Sequence, residues 1–316
     1  MSTHSKWEDL PTEQINPATL AVDTAPVAEV VDLMLVEDRK VLSAVQRERD
    51  HIVHGVKIIV QALRKGGRIL LVGAGTSGRL GVLEAAEMPP TFGTSPTLVQ
   101  ALMAGGQTAF FKAKEGVEDN YEEGARSVTR LRISKKDVLI GVSASGMTQF
   151  VLGALTRARK SGAKIIFITS WPKSELQSVV DLVIAPAVGP EVIAGSTRLK
   201  AGTATKLVLN MLTTIAMIKV GKTYGNLMVD VKTTSEKLKD RARRILGVVT
   251  GLEYDAADQL LNRARWNVKA AIVMQKTGGT YAAAMKKLRH ADDSIREAIG
   301  EDIEPRLRQL LGVDEE

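Results

Sequence analysis

The stretch of residues 67–93 constrains the fold more than any other part of the sequence. It opens with a short apolar run, residues 69–72, and continues into a turn of small residues, 73–78, with the sequence GAGTSG. A run this short, with glycine on both sides, is typical of a buried parallel strand. Residues 79–88 have helix-forming composition, and the two prolines that follow predict the end of that helix. A strand, a turn and a helix in this order place the free backbone N–H groups of the helix N-terminus at the carboxyl edge of a sheet, where phosphate groups bind.

The glycines of this turn match the dinucleotide-binding pattern G-x-G-x-x-G. A nicotinamide-binding unit also has an acidic residue about 20 residues further on, at the end of the second strand. The next strand candidate, residues 98–103, is followed by Ala-Gly-Gly and carries no carboxylate at its end. Thr76 and Ser77 instead place two hydroxyl groups in the turn. We therefore favour a monophosphate ligand over a dinucleotide and expect no cofactor.

Strand and helix patterns alternate along the middle of the chain. Residues 26–65 have the apolar spacing of helices, and a long helix is predicted over residues 200–220. Such alternation predicts an α/β fold with a doubly wound, parallel sheet and right-handed crossovers. The five strand candidates are residues 68–72, 98–103, 137–142, 164–169 and 181–185.

The two ends of the chain differ from this middle part. The first 25 residues are polar and contain prolines, which predicts an extended arm. From about residue 238 the composition is helical and charged, with helix candidates at residues 256–265, 268–275 and 281–290. We expect three parts: an arm and helices at 1–65, the sheet domain at 66–237, and a small C-terminal helical domain at 238–316.

Composition excludes several classes of function. The chain has 316 residues, a net charge of +7, 4% aromatic residues and no cysteine. Without cysteine there are no disulfides, thiolate nucleophiles or zinc–cysteine sites, and no metal site is predicted. With few aromatic rings to stack on bases, we expect no nucleic-acid partner, and the positive charge favours an anionic small-molecule substrate. Residues 1–11 lack a secretory apolar segment, and no run of 18 apolar residues exists, so we expect a cytoplasmic protein without a membrane partner.

A second hydroxyl-rich turn follows the third strand candidate. Ser143, Ser145 and Thr148 lie within six residues, between a strand and a predicted helix. Hydroxyl groups together with helix N–H groups bind phosphate without arginine or lysine. One hydroxyl would suffice as an ordinary helix cap. Three of them, together with Thr76 and Ser77, favour a phosphate site.

These two turns carry a resemblance to a known family. A strand followed by G-T-S, and a later strand followed by S-x-S-G-x-T, resemble the sugar isomerase (SIS) domain, which binds phosphosugars. Longer stretches are similar to the N-acetylmuramic acid 6-phosphate etherases, and this similarity covers nearly the whole chain. They are GAGTSGRLGVLEAAEMPPTFG, residues 114–119, GSTRLKAGTATKLVLNML from residue 195, residues 225–231, and Thr12-Glu13 with Asn16.

The resemblance implies a fold, a reaction and a set of site residues. The fold is a SIS-type, flavodoxin-like, five-stranded parallel sheet. The reaction is cleavage of the ether that joins D-lactate to the amino sugar of N-acetylmuramic acid 6-phosphate, which gives N-acetylglucosamine 6-phosphate. The two functional glutamates of the family fall on Glu87 and Glu118. A single SIS domain also implies a homodimer, in which the second subunit completes the cleft.

The chemistry of an alkyl ether supports a lyase mechanism independently. Direct hydrolysis is difficult, whereas opening of the sugar ring exposes an aldehyde that acidifies the proton on carbon 2. A base removes that proton, an acid protonates the lactate oxygen as it leaves carbon 3, and water then adds to the unsaturated aldehyde. These steps need one carboxylate and one carboxylic acid. We assign Glu118 as the base and Glu87 as the acid, and the reverse assignment stays open.

Other interpretations remain at this point. A phosphosugar isomerase, or a regulatory protein resembling the glucokinase regulator, would use similar phosphate sites. Arg198 and Lys200 either steer the lactate carboxylate or the phosphate, or are exposed to solvent. His51 and His54, three residues apart on a predicted helix, are interpreted as surface or interface residues.

Overall fold

Residues 26–65 form two helices, as predicted: α1 is Val27–Arg47 and α2 is Arg49–Arg64. The structure, a computed structural model, describes residues 10–313. Ile52, Val56 and Ile59 recur at the spacing of one helix face, and all three are buried. The helical period of the apolar residues therefore decides which face of α2 is turned inward.

The five strand candidates form one parallel sheet with the order β2-β1-β3-β4-β5. Residues on both faces of the central strands are buried, which explains why these strands are continuous apolar runs rather than alternating patterns. The order is the flavodoxin-like one, and the predicted α/β class is confirmed. The strands are β1 Ile69–Gly73, β2 Val99–Met103, β3 Val138–Val142, β4 Lys164–Ile168 and β5 Leu182–Ile184.

Helices connect the strands and cover the faces of the sheet. The closest pair is α5 with α6, because each has a glycine at the crossing point. A Cβ atom on Gly124 would lie 1.9 Å from the carbonyl oxygen of Phe150, and one on Gly153 would lie 2.0 Å from that of Tyr121. Any larger residue at either position would push the helices apart. The helices are α3 Gly75–Phe92, α4 Thr108–Phe111, α5 Tyr121–Arg130, α6 Gln149–Lys160 and α7 Lys200–Lys219.

The prediction that two prolines end α3 is wrong. The helix begins at Gly75 and continues through Pro89 and Pro90 to Phe92. Proline removes one backbone hydrogen bond and crowds the preceding turn. Here the cost falls within the last turn, and the N–H of Gly93 still donates to the carbonyl of Pro89 at 3.0 Å. Burial of Phe92, which is 4% exposed, helps to keep that turn helical.

The predicted extended arm is also wrong over the part of it that the structure describes. Residues 10–25 form turns and a short 3₁₀ helix, Pro17–Thr19. The side chain of Asn16 donates to the carbonyl of Pro190, and the hydroxyl of Thr19 donates to the carbonyl of Val192. These long-range bonds hold the segment in a compact form. The absence of a secretory segment was judged on residues 1–11, and residues 1–9 lie outside the described residues.

Chain contacts divide the described residues into two compact units. The first unit comprises residues 10–85 and 96–215, and the second comprises residues 86–95 and 216–313. The three-part division at residues 65 and 237 stays a prediction. Helix α7 is long and apolar enough to cross a membrane by length and composition alone, and 56% of its most apolar window is buried in the protein.

The second unit is helical apart from one short hairpin. Its central helix, α10, is buried from Val268 to Met274 without interruption, and helices on several sides cover it. The predicted candidates correspond to α9, α10 and α11, whereas α8, the hairpin and the two last helices were not among them. Its elements are β6 Thr223–Tyr224, β7 Leu227–Met228, α8 Glu236–Thr250, α9 Tyr254–Arg263, α10 Val268–Thr277, α11 Tyr281–His290, α12 Ile295–Ile299 and α13 Glu304–Leu311.

Candidate functional site

The carboxyl ends of β1 and β3 lie side by side at the middle of the sheet. Gly73, the last residue of β1, is in register with Val142, the last residue of β3. The strand order reverses between these two strands, and ligands of open α/β sheets bind outside the carboxyl ends of the strands at such a point. The two hydroxyl-rich turns of the sequence follow these same two strands. The topology therefore brings both turns to one edge of the sheet.

After β3, the chain brings three predicted hydroxyl groups together, and we call Ser143, Ser145 and Thr148 the hydroxyl cradle. The Ser143 Oγ lies 2.7 Å from the Thr148 Oγ1 and 3.5 Å from the Ser145 Oγ. Ser143 is buried and accepts a hydrogen bond from the N–H of Gly146 at 3.1 Å, whereas the other two side chains are half-buried. Gly146 has φ +69°, which lets the turn close tightly. The cradle is neutral and lies directly before the first turn of α6.

After β1, Thr76 and Ser77 lie in the first turn of α3, and both are half-buried. The turn is tight because Gly73 and Gly78 are in contact. A Cβ atom on Gly78 would lie 2.8 Å from the carbonyl oxygen of Gly73. The methyl group of Thr76 lies 3.6 Å from the position of a Cβ on Gly202, so this turn also adjoins the start of α7.

The loop after β4 supports the hydroxyl cradle, and the sequence reasoning missed it. The Ser174 hydroxyl donates to the carbonyl of Gly146 at 2.5 Å. The Thr169 hydroxyl donates to the carbonyl of Ala144 at 3.3 Å, and the N–H of Ser170 donates to the same carbonyl. These bonds from the loop after β4 fix the backbone of the hydroxyl cradle. A hint was present in the sequence, since a pair of small hydroxyl residues directly follows this strand too.

The two predicted glutamates lie in different compact units. Glu118 is on a short 3₁₀ helix, Val117–Asp119, in the first unit, and is partly exposed. Glu87 is on α3, within the segment 86–95 that belongs to the second unit, and is exposed. It lies more than a turn before the end of the helix. That both glutamates act on one substrate stays a prediction.

Lys200 is neither exposed nor available to a substrate, so both interpretations of this residue are wrong. It is 1% exposed, and its Nζ donates to the Glu37 Oε2 at 2.5 Å. Burial raises the pKa of Glu37, but the hydrogen bonds from Lys200 and from Lys40 outweigh it and lower that pKa to about 2. The ion pair was invisible in the sequence because 163 residues separate its partners.

The start of α7 carries a second buried carboxylate. Glu191, which is 1% exposed, accepts hydrogen bonds from the N–H groups of Lys200 at 3.0 Å and Ala201 at 2.9 Å. Burial raises the pKa of the Glu191 carboxyl, although these two bonds oppose the shift. The N-terminus of α7 is therefore capped from within the protein. Arg198, just before it, is exposed.

The two histidines of α2, His51 and His54, lie at the surface. The Nδ1 of His51 is 2.8 Å from the Glu48 Oε2, and both His51 and His54 are exposed. Within residues 10–313, no group of three or more histidine, aspartate and glutamate side chains is placed to hold a metal ion.

Two family models match the chain. The model described as "SIS domain" matches residues 106–215, and the "Glucokinase regulatory protein N-terminal SIS domain" matches residues 51–159. Among solved structures, a phosphoheptose isomerase from Neisseria gonorrhoeae is 21% identical with a TM-score of 0.47, over 60% of this chain and 98% of that chain. A likeness of that degree carries no argument about function.

Curated relatives match over much more of the chain. A protein of Salinibacter ruber is 48% identical over 95% of this chain and 97% of its own length, and one of Clostridium acetobutylicum is 47% identical over 94% and 98%. Both are named N-acetylmuramic acid 6-phosphate etherase. The similarity thus includes the helical second unit as well as the sheet with its two hydroxyl-rich turns. The chain belongs to the N-acetylmuramic acid 6-phosphate etherase family of enzymes.

Proposed function

We propose that this enzyme cleaves the D-lactyl ether of N-acetylmuramic acid 6-phosphate to N-acetylglucosamine 6-phosphate and D-lactate, by elimination followed by addition of water. The observation that carries the proposal is the position of the hydroxyl cradle at the edge where the strand order reverses. The family relationship supplies the reaction. Together they support a phosphosugar lyase.

The hydroxyl cradle and the first turn of α3 bind the 6-phosphate in this proposal. Ser145 and Thr148 are half-buried and present hydroxyl groups before the N-terminus of a 12-residue helix, α6. Thr76 and Ser77 do the same at the N-terminus of α3. Helix N-termini and hydroxyl donors stabilise a phosphate dianion through short, charge-assisted hydrogen bonds. The phosphate holds the sugar while its other end reacts.

The two glutamates carry the proton transfers. Glu118 removes the proton from carbon 2 of the ring-opened sugar, and Glu87 protonates the oxygen of lactate as the bond to carbon 3 breaks. Water then adds at carbon 3 of the unsaturated aldehyde, and the ring closes again. These transfers require Glu118 to act as a carboxylate and Glu87 to act as a carboxylic acid.

Substitution of each glutamate by glutamine tests the assignment. Glu87→Gln should still exchange the carbon 2 proton in deuterium oxide while lactate release falls at least about a hundredfold, the usual scale for a positioned acid or base. Glu118→Gln should lose exchange and release together. Proton NMR of the substrate, beside an enzymatic D-lactate assay, measures both. Exchange retained only in Glu118→Gln would reverse the roles, and normal release by both variants would refute the two-glutamate mechanism.

A phosphosugar-sensing function is the second candidate, because the N-terminal SIS model of the glucokinase regulatory protein matches residues 51–159. A sensor binds the sugar phosphate but leaves it intact. Incubation of the wild-type protein with N-acetylmuramic acid 6-phosphate separates the two functions. Release of D-lactate supports the etherase, whereas binding in calorimetry without release supports the sensor.

We further infer a cytoplasmic homodimer with a phosphosugar substrate and neither a nucleic-acid nor a membrane partner. The apolar residues Val27, Val31, Leu35 and Leu42 share one face of α1 and are 52–82% exposed, and a second copy of the chain would cover such a face. Analytical ultracentrifugation should give a dimer for the wild type and a weaker dimer for Leu35→Lys. Leu310→Lys, at an exposed leucine of α13, is the matched control and should leave the mass unchanged.

A further inference from the structure

Arg79 lies in the second turn of α3, two residues after Ser77, and its side chain does not point to a carboxylate. Its Nε donates to the carbonyl of Phe110 at 2.9 Å, and its Nη2 donates to the carbonyl of Ala109 at 2.8 Å. Arginine suits this task because its planar fork offers parallel donors to two neighbouring carbonyls, which a lysine cannot match. The two carbonyls belong to the short helix α4, beyond the end of β2.

The helix α4 is part of a longer loop, residues 104–119, which we call the Glu118 loop. The loop folds around Gly105: a Cβ atom on that residue would lie 2.9 Å from the Cβ of Ala109 and 3.3 Å from a methyl group of Val117. The Nζ of Lys114 donates to the carbonyl of Gly105 at 3.1 Å. Ala109, whose carbonyl Arg79 holds, and Val117, the residue before Glu118, therefore both lie against Gly105.

Apart from local backbone hydrogen bonds, most of the Glu118 loop has few buried contacts that hold it in place. Residues 111–116 are all exposed, and the aromatic side chain of Phe111 is 79% exposed. Loops with few buried contacts open at low free-energy cost. Ala109 and Val117 are the exceptions, since Ala109 is buried and Val117 packs against the core beneath α6. Two charge-assisted bonds from one arginine are thus a large share of what orders residues 105–116.

We propose that Arg79 is a positioning residue for Glu118. It fixes the Glu118 loop to α3 directly after the turn that carries Thr76 and Ser77, so the start of one helix sets both the phosphate position and the position of the carbon 2 base. Arg79 itself touches neither the substrate nor the reacting atoms. This inference rests on the proposed function, in which Glu118 is the base.

The test uses Arg79→Met, which keeps the apolar stem and removes both donors. Lactate release under saturating substrate should fall about tenfold to a hundredfold, as expected when a reacting group is displaced by a fraction of an ångström to one ångström. Exchange of the carbon 2 proton should fall by the same factor, because the base is what moves. The dissociation constant of N-acetylglucosamine 6-phosphate should change less than about threefold, since the phosphate-binding hydroxyls stay in place. Arg79→Lys should recover only part of the rate.

Hydrogen exchange gives a readout that does not depend on the reaction. Amides of residues 105–116 should exchange faster in Arg79→Met and in Lys114→Met, which removes the second tie of the loop. Arg157→Met is the matched control: it also removes hydrogen bonds of a helix arginine, to Thr129 and Ser161, and should leave both the loop and the rate unchanged.

The outcomes separate the two proposals. If the wild-type protein releases no lactate, the proposed function fails. If the wild type releases lactate and Arg79→Met does so at a rate within about twofold of it, the positioning role is refuted, whatever the loop exchange shows. A fall in rate with unchanged loop protection refutes it as well, because Arg79 would then act by another route. Slower release with a more mobile loop and intact product binding supports it.

Discussion

The N-termini of α6 and α7 differ in the side chains that surround them: neutral hydroxyl groups at α6 and buried charged groups at α7. At α7, the carboxylate of Glu191 takes the first two free N–H groups and Lys200 is paired with Glu37, all with 1% exposure. At α6, the preceding turn offers the hydroxyl groups of Ser145 and Thr148, which carry no charge and are half-buried. Both are helix starts in the same unit, and both favour an anion by the direction of their peptide dipoles.

In the proposed function, this difference separates residues that stabilise the fold from residues that bind phosphate. At α7 the anion is already part of the protein, so another anion would have to displace the buried carboxylate of Glu191 from its two N–H donors. At α6 a phosphate meets donors that exchange water for phosphate oxygen without breaking an ion pair. The comparison therefore assigns stability to the α7 residues and affinity to the α6 residues, and substitutions at each can test that assignment.

The largest change in the free energy of unfolding is expected from Lys200→Met. It leaves Glu37 buried without its main partner, and breaking one side of a buried ion pair costs about 3–5 kcal/mol of the free energy of unfolding. The double variant with Glu37→Gln should recover much of that loss because no unpaired charge remains. Urea denaturation followed by circular dichroism measures it, with Lys206→Met, an exposed lysine of the same helix, as control. A loss of unfolding free energy below about 1 kcal/mol would mean that Lys200 contributes little to the stability of the fold.

The second prediction is that the stabilisation contributed by Glu37 decreases as the pH falls. Because the pKa of Glu37 is lowered to about 2 in the folded protein, the unfolded chain binds the proton first as the pH falls. The stabilisation from Glu37 is complete above the ordinary pKa of about 4.5 and is lost as the pH falls toward 2. The difference in unfolding free energy between wild type and Glu37→Gln should therefore shrink between about pH 5 and pH 3.

The matched control for that measurement is Glu29→Gln, an exposed glutamate of the same helix, α1. Its difference from the wild type should stay nearly constant with pH. Glu191 works in the other direction, because its pKa is raised by burial and its ionisation opposes folding as the pH rises. A Glu37→Gln difference that grows as the pH falls would contradict the ion-pair geometry.

Substitution of Ser145 by alanine should act on affinity instead of stability. One lost hydrogen bond to a charged group is worth about 1.5–3 kcal/mol, so binding of N-acetylglucosamine 6-phosphate should weaken about tenfold or more. The urea midpoint should stay close to that of the wild type, because Ser145 is half-buried and Ser143 keeps the turn closed. Isothermal titration calorimetry measures the affinity. Unchanged affinity would remove Ser145 from the phosphate site.

The smallest change in the free energy of unfolding is expected from Lys40→Met. Lys40 also binds Glu37, at 2.5 Å, but its side chain is 53% exposed. Ion pairs with an exposed partner contribute about 0–1 kcal/mol. A loss as large as that of Lys200→Met would mean that burial does not distinguish the two lysines, and the contrast between the scaffold and the binding site would lose its physical basis.

The sheet was predictable because apolar period and turn composition are local signals. The five strand candidates agree with the observed strands to within two residues at either end, and the hydroxyl groups of Ser143, Ser145 and Thr148 were expected to meet because their turn is only six residues long. At the start of β3, Asp137 accepts a local hydrogen bond from the N–H of Ser134, whereas its ion pair with Arg68 spans 69 residues.

What failed depended on partners far away in the chain. Lys200 was expected to be exposed or to face the substrate because nothing near it in sequence announces Glu37. The helix stop at Pro89 failed because buried contacts of Phe92 outweighed a local penalty. The role of Glu87 and Glu118 came from resemblance, since exposed and partly exposed glutamates have no distinguishing sequence pattern of their own.

The segment of residues 86–95 also has a consequence for folding during synthesis, because it must wait for partners that are made much later. It belongs to the second unit, but the rest of that unit begins only at residue 216, about 120 residues later. At a synthesis rate of ~5–20 residues per second, roughly 6–24 seconds pass before its partners exist. During that time Gly93 lacks the carbonyl of Asp230 against which it packs, and Thr94 lacks the ammonium group of Lys232. The stretch that holds Glu87 therefore completes its contacts last. A nascent chain stalled after the sheet would have its two hydroxyl-rich turns, whereas the segment with Glu87, the proposed acid, would still lack its partners.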